Sequence, residues 1–348
     1  MKNIFLKLAN NFYYKPLDLR KILENFNIKD VLSLKREAFF KLEIHGKALD
    51  NFLLNRLDKT YKNDPDIKMV TILDKEYPKK LKNIYDAPPI LFYKGNLEIL
   101  DELGIAVIGS RKITDYGKKV CEDFVNVLSK KILIISGLAY GIDGLAHKKT
   151  LDNSGKTIAV LGSGLDIENI YPRSNLQLAN DIVTKGGLLL SEVPPGIGPQ
   201  AFHFPMRNRI IAGLAEGILI IEGNKKSGTL ITAKLGIDYG KDIFAVPNSI
   251  YHLNSEGVNY LIKCGATPVT SPKDILDFYG MDDIKQVKEY IPKSDKEKLI
   301  LDNLENNERY VDELRNLTGL EIIDLMGALT ELEMAGVVKQ IEQKYIKV

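Results

Sequence analysis

Residues 104–137 read GIAVIGSRKITDYGKKVCEDFVNVLSKKILIISG, a pattern in which two short apolar runs flank a longer amphipathic one. The first run, residues 104–110, and the last, residues 132–137, have the length and the β-branched content of buried strands. The segment between them, residues 114–130, has the apolar spacing and the length of a helix. The stretch therefore predicts a strand–helix–strand unit with parallel strands.

The same alternation of apolar and helical runs continues through the centre of the chain. Two earlier runs, MVTILD and PILFYKG, also resemble strands, and Pro88 and Pro89 force an extended approach to the second. The later runs, separated by helical stretches, are TIAVLGSG (157–164), GLLLSE (187–192), GILIIEG (217–223) and DIFAVP (242–247). Repeats of this kind predict an α/β fold, an extended Rossmann-type domain with a doubly wound parallel sheet.

The chain divides by sequence character into four segments. Residues 1–65 read as short helices and predict a small N-terminal helical domain. Residues 66–280 form the extended Rossmann domain, and the charged residues 281–294 form a linker. Residues 295–348 give three helical patterns and an alternating end, which together predict a C-terminal winged-helix domain.

Composition excludes several classes of protein. The 348 residues carry a formal charge of only +2, so any anion-binding surface must come from local placement of charge. Cys121 and Cys264 lie far apart, and the four histidines lack metal-ligand spacing, so we expect no disulfide framework, no metal site and no cofactor. No stretch resembles a signal peptide or a bilayer span, and we therefore expect a cytoplasmic protein without membrane contact.

The residues that follow each strand carry the functional signal. Ligands of doubly wound sheets bind outside the carboxyl ends of the strands, where glycines allow close backbone approach and helix N-termini present free N–H groups. Arg and Lys side chains in several such loops predict a groove for successive phosphates. The candidate binding residues of this groove are Ser110, Arg111, Lys112, Gly137, Tyr140, Gly162, Ser163, Gly164, Arg173, Phe204, Arg207, Asn208, Arg209, Lys225, Lys226 and Ser227.

Aromatic side chains lie in the same loops. Tyr140, Tyr171, Phe202 and Phe204 are close in sequence to the cations, and aromatic faces beside cations suit unstacked bases. Duplex DNA requires a projecting helix or ribbon, so the pattern favours a single strand. We also expect three backbone amides to donate to phosphates, those of Ser110, Gly137 and Ser163.

Three features have structural interpretations beside the functional ones. Arg207 and Arg209 lie two residues apart at a helix start and cannot share a face, so one should pair with a carboxylate while the other faces the groove. Asp143 and His147 lie four residues apart on a helix, where a capping aspartate and a packed histidine are expected rather than an acid/base pair. Glu222 ends a strand, as a ribose-binding acid does, but strand-end carboxylates are common.

The chain resembles a known family in several segments. The resemblance is to the DNA-processing protein DprA (Smf) family, and it rests on GIAVIGSRKITDYG, IISGLAYGIDGLAH, TIAVLGSGLD with YPRSN, LLSEVPPG, FPMRNRIIAGLAEGILIIEG and SGTLITAKLGIDYGKDIFAVP, in order and spacing. The similarity runs from about Asp86 to Ala266. It implies an extended Rossmann fold, and the C-terminal segment is similar to the winged-helix appendage of that family.

The resemblance implies a function in natural transformation. Members of the family bind single-stranded DNA, protect incoming strands and load the recombinase RecA, generally as homodimers. The resemblance also implies that Arg111 is a principal phosphate contact, that Arg173 occupies a basic position, and that residues 162–164 and 204–209 line the same pocket. We therefore expect a DNA-binding protein and not an enzyme, with single-stranded DNA, RecA and a second copy of the chain as partners.

Other functions of this fold class are alternatives. Phosphoribohydrolases similar to lysine decarboxylases use a PGGxGTxxE loop, whereas the comparable residues 222–233, EGNKKSGTLITA, have two lysines in place of glycines and lack the acid. A sensor for a small nucleotide would keep the anion-binding edge without a long groove. A dinucleotide-dependent oxidoreductase is disfavoured because GSRKITDYG stands where GxGxxG is expected.

The C-terminal segment adds one more expectation. Its presumed recognition helix, residues 321–335, contains Glu321, Asp324, Glu331 and Glu333 and no Lys or Arg. Carboxylates laid beside phosphates repel them, so we infer that this helix does not enter a DNA groove and contacts protein instead.

Overall fold

The structure, a computed structural model, consists of two compact units, Met1–Met281 and Asp282–Val348. It describes residues 2–55, 64–225, 227–281, 292–304, 308–335, 337–341 and 343–347. The linker predicted over residues 281–294 falls largely outside these ranges. No helix within them is long and apolar enough to cross a membrane.

Helices form the N-terminal part of the first unit: α1 (Lys2–Phe12), α2 (Pro16–Asn25), α3 (Arg36–Phe40) and α4 (Lys47–Asn55). Their apolar faces meet at Phe52, whose ring centroid lies 5.8 Å from that of Phe12 and 5.9 Å from that of Phe39. The same hydrophobic cluster includes Phe92 and Leu189 of the sheet. The N-terminal helices and the sheet thus share one core, and the domain boundary at residue 65 stays a prediction.

The sheet and its helices follow in chain order. They are β1 (Lys68–Thr71), α5 (Lys79–Lys82), β2 (Ile90–Gly95), β3 (Gly104–Ile108), α6 (Asp115–Leu128), β4 (Leu133–Ser136), α7 (Ile142–Asp152), β5 (Thr157–Val160), α8 (Leu176–Thr184), β6 (Leu188–Ser191), α9 (His203–Leu214), β7 (Gly217–Ile220), α10 (Gly228–Asp238), β8 (Asp242–Ala245), α11 (Glu256–Lys263), β9 (Thr267–Pro268) and α12 (Pro272–Phe278). Every residue of β3 to β7 is buried, which accounts for their continuous apolar runs.

The strands of the described part of the first unit form one nine-stranded sheet in the order β1-β2-β6-β5-β4-β3-β7-β8-β9. The strands from β6 to β9 in this order run parallel, while β1 and β2 form an antiparallel edge. The predicted α/β fold with an extended, doubly wound parallel sheet is confirmed, with the antiparallel edge added. Chain order reverses at β3, which pairs with β4 on one side and β7 on the other, and ligands of such sheets bind at this reversal.

Helices cover both faces of this sheet. Along β3, Ile105 and Val107 pack in the core beneath α6 and α12, whereas Ala106 and Ile108 pack in the core beneath α9 and α10. Successive side chains of a strand point to opposite faces, so this alternation follows directly from the pleat. Because both faces are covered, the loops at the carboxyl edge are where a ligand can reach the sheet.

The second unit contains, in its described residues, α13 (Asp295–Leu304), β10 (Arg309–Tyr310), α14 (Val311–Thr318), α15 (Ile322–Met334), β11 (Val338–Ile341) and β12 (Lys344–Lys347). Its strands form a small antiparallel sheet in the order β10-β12-β11. Leu325, Leu329 and Leu332 of α15 pack in one cluster with Leu301 and Leu314. This arrangement confirms the predicted winged-helix domain.

The presumed recognition helix of this unit is α15. Its outward side carries Ile323 and Met334, both strongly exposed. Asp324 lies on the same helix and pairs with Lys296 of α13 over 2.8 Å. The inference that α15 contacts protein and not DNA stays a prediction.

Candidate functional site

An open cleft of about 670 Å³ lies at the carboxyl edge of the sheet. Loops after β3, β4 and β7 line it, together with the first turns of α9 and α10. The predicted site residues in its wall are Ser110, Arg111, Lys112, Phe204, Arg207, Asn208 and Ser227. A small adjoining pocket adds Gly137, Tyr140 and Tyr171 beside Arg111 and Phe204. The fold thus brings together candidate residues that lie far apart in the sequence.

The loop after β3 is shaped by its own hydrogen bonds and by Glu222. Ser110 Oγ donates to the Lys112 carbonyl over 2.8 Å and accepts from the Lys112 amide over 3.1 Å. The buried Glu222 carboxylate accepts from the amide of Thr114 over 3.0 Å and from its hydroxyl over 2.7 Å. Because Thr114 caps α6, Glu222 fixes where the loop enters that helix. Arg111 and Lys112 are exposed, whereas the Ser110 hydroxyl is engaged in hydrogen bonds within the turn.

The loop after β4 adopts a backbone conformation that its surroundings hold in place. Leu138 has a φ of 56°, which residues with a side chain rarely adopt. Its amide donates to Nε2 of His147 over 3.3 Å, and its carbonyl accepts from Nδ2 of Asn175 over 2.9 Å. Burial lowers the pKa of His147 to about 3, so its ring is neutral and can accept. His147 is the packed histidine that the sequence indicated, and it holds the loop that presents Tyr140.

Arg207 forms the floor of the cleft, with 4% of its surface exposed. It donates from Nη1 to the Gly137 carbonyl over 2.6 Å and to the Val160 carbonyl, at the ends of β4 and β5. Burial lowers the pKa of Arg207 to about 10, and the nearby Asp143 carboxylate opposes that shift. Asp143 in turn accepts from the Gly137 amide over 3.1 Å. Both backbone groups of Gly137 are thus occupied, contrary to the expectation that its amide donates to a phosphate.

Arg209 lies away from the cleft. It is buried and donates from Nη2 to Glu192 and from Nη1 to the Asp86 carbonyl. Burial raises the pKa of Glu192 to about 7, although the charge of Arg209 opposes the shift. Arg209 is therefore the arginine that pairs with a carboxylate, and Arg207 is the one that faces the cleft.

Three aromatic rings lie in a row beside the cleft, and we call them the aromatic ladder: Phe204, Tyr171 and Tyr140. The ring centroids of Phe204 and Tyr171 lie 5.7 Å apart, and those of Tyr171 and Tyr140 lie 6.3 Å apart. The Arg111 guanidinium lies 5.2 Å from the Phe204 centroid, within the range of a cation–π contact. Tyr140 and Tyr171 are exposed, and Phe204 is half-buried. The ladder thus offers apolar faces directly beside a cation.

The N-terminus of α10 offers an anion-binding position. Ser227 precedes the first residue of α10 and lines the cleft. Its Oγ is buried and has no hydrogen-bond partner in the described part of the chain, a state that buried hydroxyls rarely keep. With the amides of Gly228 and Thr229 at the start of the helix, it fits a phosphate oxygen. Lys225 is exposed nearby, its Nζ 6.0 Å from the Tyr260 ring, whereas Lys226 lies outside the described residues.

Other predicted residues lie beside the cleft and not in its wall. Ser163 is buried, and its carbonyl accepts from Ser191 Oγ over 2.8 Å; Gly164 is buried as well. The expectation that the Ser163 hydroxyl or amide reaches a phosphate is therefore not met in this structure. Arg173 is exposed and donates from Nη1 to the Ile167 carbonyl. It follows Tyr171 of the aromatic ladder by two residues in the chain.

The N-terminal helices reach the back of the cleft through one hydrogen bond. The hydroxyl of Tyr13, just after α1, lies 3.0 Å from Nε2 of His203 at the start of α9. The other ring nitrogen of His203, Nδ1, lies 3.0 Å from the Gly162 carbonyl. Burial lowers the pKa of His203, which keeps the ring neutral. Phe202 is exposed and packs edge-on against the His203 ring, so its contact is with the first residue of α9.

Sequence reasoning missed two asparagines of the cleft wall, Asn224 and Asn254. Asn254 Nδ2 donates to the Lys112 carbonyl over 3.1 Å. Loop asparagines are common, so composition offers no signal for these two, whereas Asn208, in the segment FPMRNR, is predicted from the sequence and also lines the cleft. Within the described ranges no group of three His, Cys, Asp or Glu side chains could hold a metal ion.

Two family models match the chain. The model of DNA recombination-mediator protein A matches residues 68–280, and the model of the DprA winged helix domain matches residues 288–343. The first range contains the whole nine-stranded sheet of the described residues and the loops of the cleft.

Named relatives and solved structures are similar over most of their length. DNA processing protein DprA of Streptococcus pneumoniae is 46% identical over 220 residues, 63% of this chain and 76% of the relative. Protein Smf of Escherichia coli is 37% identical over 281 residues, 78% of this chain and 75% of the relative. The X-ray structure of the S. pneumoniae protein has a TM-score of 0.65 at 38% identity, covering 80% of this chain and 98% of that one. A structure that describes the single-stranded DNA binding mode of DNA processing protein A from Helicobacter pylori has a TM-score of 0.56 at 29% identity, covering 62% and 96%.

Proposed function

Because the chain belongs to the DNA recombination-mediator protein A family, we propose that it binds single-stranded DNA in the cleft. The observation that carries the proposal is a cleft wall with exposed cations directly beside the aromatic ladder. Arg111 belongs to both, since it lines the cleft and lies 5.2 Å from the Phe204 ring. A single strand offers phosphates and unstacked bases side by side, which are the two groups that such a surface can hold.

The phosphates occupy the cleft in this proposal. Arg111 and Lys112 neutralise them from the loop after β3, and Lys225 does so from the loop after β7. The Ser227 hydroxyl and the first amides of α10 donate to the same phosphate oxygens. Arg173 acts on a phosphate beside the aromatic ladder. Each neutralised phosphate releases counterions, so affinity falls as salt rises.

The bases contact the aromatic ladder. Stacking on an aromatic ring tolerates every base, so we expect little sequence preference. A duplex buries the faces of its bases against each other, which leaves the ladder without a partner and favours single strands. The H. pylori structure, whose description concerns a single-stranded DNA binding mode, is 29% identical over 62% of this chain and supports single-stranded DNA as the ligand.

We propose no catalytic role for the cleft. A general acid or base must lie within reach of its substrate, in a state to exchange a proton. The carboxylate in the wall, Asp143, is buried and accepts from the Gly137 amide over 3.1 Å. Glu222 is engaged by Thr114 through two hydrogen bonds. The phosphoribohydrolase-like alternative needs one of these carboxylates to be released from its partners, whereas the nucleotide-binding alternative needs none.

The proposal extends to natural transformation. We infer a cytoplasmic protein that protects incoming strands, loads the recombinase RecA and acts as a homodimer, on the strength of family membership. A dimer joins two clefts, so a strand long enough to reach both binds more tightly through effective concentration.

Fluorescence anisotropy with labelled oligonucleotides tests the DNA proposal. Single strands should bind more tightly than duplexes of equal length, and affinity should rise with strand length and fall steeply with salt. The phosphoribohydrolase alternative is tested on the same protein by measuring free base released from nucleoside monophosphates. Equal affinity for a mononucleotide and a long single strand would overturn the proposal, because the cleft would then be a small-molecule pocket.

A further inference from the structure

One loop at the carboxyl edge exposes three large apolar side chains. This loop, residues 247–254, connects β8 to α11, and we call it the rim loop. In this loop Ile250, Tyr251 and Leu253 are 78%, 91% and 77% exposed. Clusters of exposed apolar side chains on a folded protein commonly belong to interaction sites.

Hydrogen bonds give the rim loop a defined shape. Asn259 of α11 donates from Nδ2 to the Asn248 carbonyl over 2.9 Å and accepts from the Asn248 amide over 3.4 Å. The Ser255 hydroxyl lies within hydrogen-bond reach of the carbonyls of Ser249 and His252 and donates its one proton to either of them, which closes the loop on itself. The apolar side chains are thus presented outward by an ordered turn, so little conformational entropy is lost when a ligand covers them.

The rim loop is joined to both loops that carry the phosphate-binding cations. Asn254 lines the cleft and donates from Nδ2 to the Lys112 carbonyl over 3.1 Å. The Asn254 carbonyl accepts from the amide of Gly223, in the loop that continues to Lys225, over 2.7 Å. Gly257 packs against that loop so closely that a Cβ on it would lie 2.4 Å from the Gly223 carbonyl oxygen. The rim loop is therefore continuous with the wall of the cleft.

We propose that Ile250, Tyr251 and Leu253 contact bases of a DNA single strand whose phosphates lie in the cleft, an inference that rests on the proposed function. Bases are the apolar surface of a single strand, and an exposed tyrosine beside cations is a stacking platform. Lys112 and Lys225 flank the rim loop and hold the neighbouring phosphates.

The order of strands puts the rim loop and the aromatic ladder on opposite sides of the cleft. The loops of Tyr140 and Tyr171 follow β4 and β5, the rim loop follows β8, and β3 and β7 lie between them. Neighbouring strands are spaced by about 4.8 Å, so a strand of DNA that crosses this edge passes both apolar surfaces. The two surfaces contact different nucleotides of one strand, and the cations between them hold the phosphates.

Anisotropy with a natural strand and with an abasic strand of the same length tests the assignment. Tyr251→Ser, and separately the pair Ile250→Ser and Leu253→Ser, should weaken binding of the natural strand by about fivefold to a hundredfold, the range for one lost base stack. Binding of the abasic strand should not change, and the dependence of affinity on salt should stay the same, because no phosphate contact is removed.

Tyr85→Ser is the matched control. Tyr85 is 65% exposed, and its ring lies 5.8 Å from that of Tyr239, which lies between the end of α10 and the start of β8 at the opposite edge of the sheet. This variant should bind both strands as the wild type does. Sedimentation of all variants measures whether the loop is covered by a second copy of the chain instead.

The outcomes separate this inference from the function on which it rests. Equal weakening for natural and abasic strands, or no weakening for either, overturns the inference alone. So does loss of a dimer in the Tyr251→Ser variant, because the rim loop would then be an interface between copies. Failure of the wild type to bind any single strand overturns the proposed function, and the inference with it.

Discussion

Replacing Arg207 by Met tests whether this arginine builds the floor of the cleft or binds the ligand. Arg207 donates to the carbonyls of Gly137 and Val160. Its positive charge is also the main influence that opposes the raised pKa of the buried Asp143 carboxyl group. Arg207→Met leaves two buried carbonyls unpaired and removes the larger of two cationic charges that favour the buried Asp143 carboxylate, the other being that of Arg111. We expect the variant to lose stability far more than an exposed arginine would.

The magnitude follows from these contacts. Each unpaired carbonyl costs about 1–3 kcal/mol, so the two together cost about 2–6 kcal/mol before the lost charge beside Asp143 is counted. Burial already raises the pKa of Asp143, and without Arg207 it rises further. A raised folded-state pKa of an acid means that stability is lost as pH rises from the unfolded-state pKa through the folded-state pKa, so the defect should grow as pH rises. The double variant Arg207→Met with Asp143→Asn should recover part of the loss.

Urea unfolding followed by circular dichroism measures these differences, with Arg36→Met as the control. Arg36 is exposed and pairs with Asp50, and its replacement should cost at most about 1 kcal/mol. The reasoning is refuted if Arg207→Met costs as little as Arg36→Met while it removes DNA binding. Arg207 would then be a direct ligand of phosphate and not the floor.

Three further outcomes are expected. The pKa of His147 is lowered to about 3, so the unfolded chain takes up a proton at this residue before the folded chain does. The free energy of unfolding should therefore fall as pH drops from about 6.5 towards 3, by up to about 1.4 kcal/mol per pH unit. Urea unfolding of His147→Gln should lack this slope. Glu222→Ala removes both acceptors of Thr114, and thermal unfolding should report a loss of about 1–3 kcal/mol. Tyr171→Ala removes the middle ring of the aromatic ladder, and anisotropy should show single-strand affinity lowered by about fivefold or more with mononucleotide affinity unchanged.

The sheet and the place of the site were accessible from sequence for one physical reason. Strands buried on both faces must be continuously apolar, so runs such as TIAVLGSG and GILIIEG identify themselves. Once the strands are parallel, their carboxyl ends meet at one edge, and the residues after them must come together. Arg111, Lys112, Phe204 and Ser227 lie in the cleft wall on that ground alone.

The roles of individual polar groups were not accessible, because they depend on partners distant in the chain. Arg207 and Arg209 have similar local sequences and differ only in what lies opposite, backbone carbonyls for one and Glu192 for the other. Composition likewise does not reveal that the Gly137 amide donates a hydrogen bond to the Asp143 carboxylate. Whether a loop glycine offers a free N–H is decided by tertiary contacts, not by the residue.

The rim loop illustrates the same limit. Apolar residues after a strand are usually read as core, and nothing in NSIYHLN reveals that Ile250, Tyr251 and Leu253 point outward. Two hydrogen bonds between Asn259 of α11 and the backbone of Asn248 fix the shape of the loop that exposes them.

The central claim is that Arg111 and its neighbours hold the phosphates of a single strand. Its most direct test is the salt dependence of single-strand affinity for the wild type, Arg111→Ala and the control Arg36→Ala. We expect Arg111→Ala to bind more weakly than the wild type. The slope of log affinity against log salt should become shallower by about 0.7, which is the contribution of one phosphate contact. The affinity and slope of Arg36→Ala should equal those of the wild type. Wild-type affinity and slope in Arg111→Ala would contradict the claim.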